Sequence, residues 1–545
     1  MNNFIKQFES SVLKHWNSPA LDDYGKSSLT YGQLAYNIEC LRRCWHEAGL
    51  NEGDRVAINA RSSSNWIEIL FAAITGGYTS VQLYNVFTPV DTMQLVNHSE
   101  SRILYTEKKA FEKMDFTAMP SLIAAIDANT MELLACRGSK VAECFTNAGS
   151  VMDRAYPNGF STADVMYPER ETNEVCAIMY TSGSTGSPKG VMLTVGNFSA
   201  NVTVIPSRIP FNEGENYLSM LPFAHSFGMT VDAIIPLCCG MHTHVLGLPP
   251  IPSNLIPALS TLRPQIFFGV PLIFLKLIET IIGNDINSEE GRAKLVDCEH
   301  NKEFTAKLRD KVLSGLGGNI KVFATGGAAI PSEIENLLAV KLSLPFITGY
   351  GMTECAPIIS FGEIGNYKLK SCGKYVENMK LKIDSSDPTT IPGEILVKGP
   401  EVFAGYYKNE EATKAVFTQD GWFRTGDMAI IDDEKNIFIS GRCKNMLLSA
   451  NGQNIFPEEI EVVLNEMPLV AESLVVQRGN KLTAIIVLNE EGQQQDSDSV
   501  SQTMSSNLQR LNDRMPTYSR VSDWEVRTDP FCKTPKGSIR RFMYN

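Results

Sequence analysis

CAIMYTSGSTGSPKGVMLT, Cys176–Thr194, is the stretch on which the rest of the chain turns. An apolar, β-rich run enters a loop of small and polar residues, Thr181, Ser182, Gly183, Ser184, Thr185, Gly186, Ser187, Pro188, Lys189 and Gly190. A second β-rich run leaves it. Small residues let backbone amides approach an anion, and the hydroxyls and one lysine add donors, so the loop suits a polyphosphate. It is not a Walker loop, because Pro188 stands in the place of the second glycine and no helix signal follows Lys189 directly. A flexible Gly/Ser surface loop is the alternative, and it gives no reason for the flanking apolar strands or the single embedded lysine.

Outward from this loop, short β-rich runs alternate with helix-period stretches from about Tyr31 to Thr348. DRVAIN leads into NWIEILFAAITGG and then YTSVQLY; IKVFATGG leads into PSEIENLLAVKL. Such alternation predicts an α/β architecture of βα units layered on largely parallel sheets. From Gly373 to Ser440 the texture changes to short strands and turns, GEILVKG and NIFISG among them, which predicts a small, mostly antiparallel subdomain. After Gly441 comes a tail of about 100 residues, long enough for a separate small domain. In it PEEIEVVLNEM reads as a helix opened by Pro457 and acidic residues, SLVVQ and LTAIIVLN as strands, and EEGQQQDSDSVSQ as a polar surface loop. Near the N-terminus Phe4, Ile5, Phe8, Val12 and Trp16 recur at helical spacing, predicting a helix docked by one face.

Bulk properties narrow the function. The 545 residues are 43% hydrophobic and 20% charged, an ordinary globular composition, with a formal net charge of -12. An acidic surface repels nucleic acid, so phosphate chemistry must sit in a local pocket with its own donors. Twelve cysteines without paired spacing read as reduced thiols in a cytoplasmic protein. The nearest approach to a metal cluster is Cys238, Cys239, His242 and His244, but adjacent cysteines in an apolar run suit burial better than zinc. No signal peptide is expected. The uncharged run Ala233–Leu262 is broken by prolines and a glycine and predicts no membrane span. Contact with a membrane surface and the oligomeric state are left open.

Four further motifs follow in order: ATGGAAI (Ala324–Ile330), ITGYGMTE (Ile347–Glu354), GWFRTGD (Gly421–Asp427) and ISGRCKNMLLSANGQNIFPEEIE (Ile439–Glu461). With the Cys176–Thr194 loop they resemble, over nearly the whole chain, the adenylate-forming (AMP-binding) enzymes, a superfamily that includes acyl-CoA synthetases, firefly luciferase and peptide-synthetase adenylation domains. The resemblance implies a large N-terminal α/β domain over 1–441, with a small β-barrel-like subdomain at 373–440. It also implies a small, mobile α+β lid domain over 442–545, hinged near Lys444. ATP, Mg²⁺ and coenzyme A are the implied cofactors, and a carboxylic acid the implied substrate.

Roles carry over residue by residue. Thr181–Gly186 and Lys189 would hold the phosphates, with Thr185 close to the chemistry. Gly326, Gly327, Ala328 and Ala329 would line the adenine and acyl side. In GYGMTE, the glycines Gly349 and Gly351 and the residue Met352 allow close approach to the base, on which Tyr350 can stack. Thr353 offers a hydroxyl to the α-phosphate, and Glu354 is an oxygen ligand for Mg²⁺. Asp427 would accept from the ribose hydroxyls with Arg442 assisting, and Gly452 would lie beside the pantetheine tunnel.

One position departs from the pattern. The family's glycine is followed at once by a catalytic lysine, whereas here KTPKGSIRR puts Ser538 after Gly537. Lys536 stands two positions earlier, and in an extended segment residues two apart point the same way, over roughly 6–7 Å. Lys536 is therefore the expected lysine; Lys533, or no lysine at all, are the alternatives.

LPFAHSFGM (Leu221–Met229) matches the acyl-site segment. His225 resembles a gating histidine, Ser226, Phe227 and Gly228 follow it, and Val270 and Pro271 of FFGVP lie where the family builds its acyl tunnel. Ala224 stands where amino-acid-activating members place an aspartate, so an ammonium group would be unpaired and costly. A medium- or long-chain fatty acid activated to acyl-AMP and passed to coenzyme A is the function implied. An acyl-acyl-carrier-protein synthetase shares every motif, and a catalytically impaired nucleotide- or acyl-binding relative is the reading from a different class.

Overall fold

The computed structural model describes residues 3–181, 188–327, 330–448, 453–479, 481–534 and 537–544. The DRVAIN run forms the strand Arg55–Asn59, the next apolar stretch the helix Ser64–Thr75, and YTSVQLY the parallel neighbour Thr79–Gln82, a βαβ unit as its pattern predicts. Ser63 caps that helix by accepting from Trp66 N–H. This unit sits at the centre of an eight-stranded sheet that is parallel in the middle and antiparallel at both edges.

Two further mixed sheets complete the large domain. One holds Ile266–Gly269, Val322–Thr325 and Phe346–Gly351 in parallel, then Ile358–Phe361 and Lys374–Tyr375 antiparallel. The other runs Asn216–Ser219, His242–Val245, Pro19–Asp23 and Leu29–Thr30. Mixed sheets replace the largely parallel ones the alternation suggested, because hairpins close each sheet where helical crossovers end.

The region expected to be barrel-like is an open four-stranded antiparallel sheet, Lys380–Asp384, Gly393–Lys398, Phe423–Ile431 and Ile437–Arg442. Its neighbours in sequence leave it: Lys374–Tyr375 joins the five-stranded sheet and Gly405–Tyr406 the edge of the eight-stranded one. The C-terminal segment buries its own core, with Ile460, Leu464, Val475, Ile486, Met504 and Leu511 at its centre.

Local signals explain most helices. Phe4–Lys14 buries Phe4, Ile5, Phe8 and Val12, and Asn3 accepts from Ile5 N–H to cap it; Trp16 lies beyond its end and packs on Gly32 instead. Pro457 opens the helix Pro457–Asn465. The polar stretch expected as a loop is instead two helices, Glu490–Gln493 and the start of Ser497–Arg514. Asp496 caps the second, and Val500, Met504, Asn507 and Leu511 form its buried stripe. Only Val500 of that stripe falls inside the polar run, which hid the helix.

Among the described residues no helix is long and apolar enough to cross a membrane. The uncharged run divides into the end of the π-helical stretch Gly228–Ile234, the short helix Ile235–Cys238, the strand His242–Val245 and the helix Pro252–Leu262.

Buried carboxyls make stability depend on pH, Glu68 among them. Glu68 lies between two helices, accepts from Asn37 Nδ2 at 3.2 Å, and is pushed up to about 7 by burial. Its folded state keeps a proton that the unfolded chain releases near its ordinary 4.5. Stability therefore falls as pH rises through that window, by an amount on the order of 3 kcal/mol. Glu68→Gln should reduce the dependence of the urea midpoint between about pH 5 and 7, with the slope from Glu401, Glu461 and Asp232 remaining, and stabilise the protein at the upper end. An unchanged slope would place the titration elsewhere.

Candidate active site

The decisive loop is a hairpin. Val175–Thr181 and Lys189–Thr194 pair antiparallel, with Thr181 opposite Lys189 and Tyr180 opposite Gly190. Ser182, Gly183, Ser184, Thr185 and Gly186 fall outside the described residues, as do Ala328, Ala329, Gly452 and Lys536. Gly190 is needed for packing, since a Cβ there would lie 3.0 Å from Ile178 and 3.3 Å from Tyr180 and Tyr407.

Lys189 leads to Glu354. Its ammonium lies 4.8 Å from the centroid of the Tyr406 ring, and the Tyr406 hydroxyl donates to Glu354 Oε1 at 3.0 Å. Tyr406 reaches this position because Gly405–Tyr406 pairs with the outer face of the hairpin. Tyr406 was missed in the sequence, where GYY carries no motif; only the pairing of strands more than 200 residues apart brings it in.

Glu354 stands in a short turn, Thr353–Cys355, that follows the strand Phe346–Gly351. Ala356 next to it has φ 60°, a left-handed conformation that costs a β-carbon about 1 kcal/mol or more. Three contacts hold the turn in place. Asn201 donates to Cys355 O at 3.2 Å, Thr230 to Ala356 O at 2.9 Å, and Phe403 N–H to Glu354 O at 2.9 Å. Thr353 and Glu354 are both buried, and Ser226 Oγ donates to Thr353 Oγ1 at 3.4 Å. A carboxylate with adjoining hydroxyls is an oxygen-only donor set, which fits Mg²⁺, so Glu354 would hold the ion.

Tyr350 donates to Asp427 Oδ2 at 2.7 Å, and Arg442 lies 3.0 Å from Asp427 Oδ1. Asp427 and Arg442 face each other on neighbouring strands. Burial pushes the Asp427 carboxyl up, while Arg442 and the Tyr350 hydroxyl oppose it. Each carboxylate oxygen retains a second lone pair, so both can also accept from a ribose diol.

Tyr350 also bounds a cavity that joins the two halves of the motif set. Gly326, Gly327, Gly349, Gly351 and Met352 line one side; His225, Ser226 and Phe227 line another. The glycines are required first by the backbone itself. A Cβ on Gly351 would lie 2.1 Å from Pro357 O, and Gly327 has φ 80°. Gly228 is equally constrained, since a Cβ would come within 2.3 Å of Pro222 O, and it does not line the cavity.

Val270 and Pro271 do not line it either. Val270 precedes the helix Pro271–Asn287 and packs on a second core, whereas Phe268, two residues earlier on the strand Ile266–Gly269, faces the cavity. Phe268 meets Phe227 edge-on at 5.8 Å.

His225 Nδ1 accepts from Phe227 N–H at 3.2 Å. In the neutral ring this places the proton on Nε2, a donor and not a base. Asp232, the nearest acid in sequence to the acyl segment, is fully used. It accepts from Tyr217 at 2.7 Å and from the amides of Met220 and Leu221 at 2.8 and 2.7 Å, and burial pushes it up to about 6. It positions the acyl segment and cannot pair with a substrate ammonium.

Near the C-terminus the extended segment expected around Lys536 is not found in its described neighbours. Gly537 N–H donates to Thr534 O and Thr534 N–H to Ser538 O, each at 2.8 Å, so the chain closes on itself there. The Lys533 ammonium is paired with Glu472. Lys444 lies in the turn after Ile437–Arg442, where Asn445 and Met446 N–H donate to Arg442 O.

Comparison with known proteins agrees with this geometry. Residues 8–407 match the model of the AMP-binding enzyme family, and 444–544 that of the AMP-binding enzyme C-terminal domain. The chain belongs to the AMP-binding enzyme family. It is an adenylate-forming acid–thiol ligase, with ATP, Mg²⁺ and coenzyme A as its cofactors.

Among its relatives, a long-chain-fatty-acid–CoA ligase, FadD15 of Mycobacterium bovis, is 27% identical over 475 residues, 83% of this chain and 75% of that one. The long-chain-fatty-acid–CoA ligase ACSBG2 of Rattus norvegicus is 27% identical over 503 residues, 86% and 74% of the two chains. The fold matches the anthranilate CoA ligase AuaEII in complex with anthranoyl-AMP, with TM-score 0.78, 19% identity, and 99% and 96% of the two chains covered.

Proposed function

We propose that this ligase activates a medium- or long-chain fatty acid, forming acyl-AMP and pyrophosphate, and transfers the acyl group to coenzyme A. The observation that carries the substrate class is the lining of the cavity beside Tyr350. Ile205, Ile209, Val231, Phe268, Ile358 and Phe361 make its walls, and no described carboxylate or ammonium lines it. Such a wall favours an alkyl chain through burial, at about 0.8 kcal/mol per methylene. The relatives named as long-chain-fatty-acid–CoA ligases support the same class.

In the first step a carboxylate oxygen attacks the α-phosphorus and the bond to pyrophosphate breaks. His225 donates from Nε2 towards the carboxylate, Lys189 and the hairpin hold the leaving phosphates, Asp427 fixes the ribose, and Glu354 would hold Mg²⁺, whose charge would offset that of the phosphates. In the second step a thiolate attacks the acyl carbonyl and AMP leaves. Twelve cysteines remain as thiols, which suits a reducing compartment such as the cytoplasm.

The test is acid-dependent ATP–pyrophosphate exchange across fatty acids of increasing length, with benzoate for comparison. The kcat/KM for a medium or long chain should exceed that for benzoate by about tenfold or more. A preference for benzoate would move the assignment to aryl acids, and competition between coenzyme A and acyl carrier protein identifies the acceptor.

A further inference from the structure

The two histidines singled out in the sequence do meet a third ligand, but it is not a cysteine. His242 and His244 are two apart on one strand and so share a face, and the parallel pairing with Pro19–Asp23 sets Asp22 beside them. Cys238 turns away into the core, its thiol donating to Phe4 O. His242 Nε2 lies 2.8 Å from Asp22 Oδ2, and His244 Nδ1 lies 2.9 Å from Asp22 Oδ1. Asp22 and His244 are buried and His242 is half-buried.

The hydrogen bonds around His244 determine where its proton is. Asn216 Nδ2 donates to Leu262 O at 2.9 Å, so the Asn216 atom facing His244 Nε2 at 3.2 Å is the carbonyl oxygen. That oxygen only accepts, so Nε2 must carry the hydrogen. In a neutral ring the Nδ1 lone pair then points at a carboxylate oxygen. Two electron pairs at 2.9 Å repel, and a cation has to lie between them: a second ring proton or a metal ion.

We propose that Asp22, His242 and His244 form a structural zinc site. Two imidazoles and one carboxylate are a usual zinc donor set, and the three ligand atoms lie within 4.8 Å of one another. Bonds of about 2.0–2.1 Å in tetrahedral geometry separate ligands by roughly 3.3 Å, so the two histidine–carboxylate contacts open by about half an ångström and any pair near the 4.8 Å limit closes by about 1.5 Å. The Asn216 carbonyl supplies the outer hydrogen bond that zinc-bound histidines ordinarily make through their other ring nitrogen. Ser28, whose hydroxyl is 2.6 Å from Asp22 Oδ2 and 3.1 Å from His242 Nε2, or a water takes the fourth place. Such an ion ties together the strands Asn216–Ser219, His242–Val245 and Pro19–Asp23, the first of which runs directly into the acyl segment.

The test uses the untagged full-length chain, stripped with a chelator and titrated with zinc sulfate by calorimetry. A parallel cobalt(II) titration is followed by visible absorbance. Wild type should bind a single equivalent, with a rise in Tm and a tetrahedral cobalt spectrum. Asn216→Ala should weaken zinc by about 10- to 100-fold, and His242→Gln by about 100-fold or more. If wild type takes up no zinc, or if His242→Gln binds it as tightly, the site is a buried imidazolium–carboxylate pair and the proposal fails. The wild-type titrations decide the matter even where a variant does not fold.

Discussion

Glu354→Gln should lower kcat for acid-dependent pyrophosphate exchange by about 10²- to 10³-fold, with a smaller change in KM for the acid. Glutamine preserves the shape and can still accept from Tyr406 at 3.0 Å, so the turn around Thr353–Cys355 should keep its form. Only the charge facing the phosphates is lost. The effect should be partly relieved by raised Mg²⁺ if Glu354 acts by holding the ion. Exchange at the wild-type rate would remove Glu354 from the chemistry and leave it a structural carboxylate. Tyr406→Phe gives the companion measurement, since it removes the hydroxyl that orients Glu354 and leaves the ring beside Lys189.

Lys536→Ala is expected to abolish most adenylation, by about 10²-fold or more, while leaving acyl transfer from preformed acyl-AMP largely intact. The residues described on either side of Lys536 are not extended, since Thr534 N–H donates to Ser538 O, and Lys536 itself lies outside the described residues. What supports Lys536 is elimination: Ser538 carries no charge, and the Lys533 ammonium is paired with Glu472. Exchange that survives Lys536→Ala and collapses in Lys533→Ala would move the role to Lys533. Survival in both variants would mean that the enzyme adenylates without a lysine from this segment.

Features encoded by neighbouring residues were legible in the sequence. The hairpin of the Cys176–Thr194 stretch, the βαβ unit from Arg55 to Gln82 and the docked helix Phe4–Lys14 each follow from local periodicity and turn chemistry. Contacts made across the sheets were not. Tyr406 against Glu354 depends on a two-residue strand pairing, and Asp22 against His242 and His244 on a crossover of about 220 residues. Neither pair leaves a spacing to recognise. The open sheet in place of a barrel has the same origin, since the strands that would close it pair elsewhere. Phe268 stands in the cavity wall in place of Val270 because the strand stops at Gly269: Phe268 is still on it, whereas Val270 has left it to precede the helix Pro271–Asn287.

The carbonyl of Pro357, lodged where a side chain on Gly351 would be, restricts how this binding site can diversify. Point mutation at that wall yields an unfolded or displaced backbone before it yields a new preference. Innovation in substrate range is channelled to the opposite face, where Ile205, Ile209 and Phe268 present replaceable side chains. Selection for new acids should therefore fix changes at Ile205, Ile209 or Phe268 and leave Gly351 as it is.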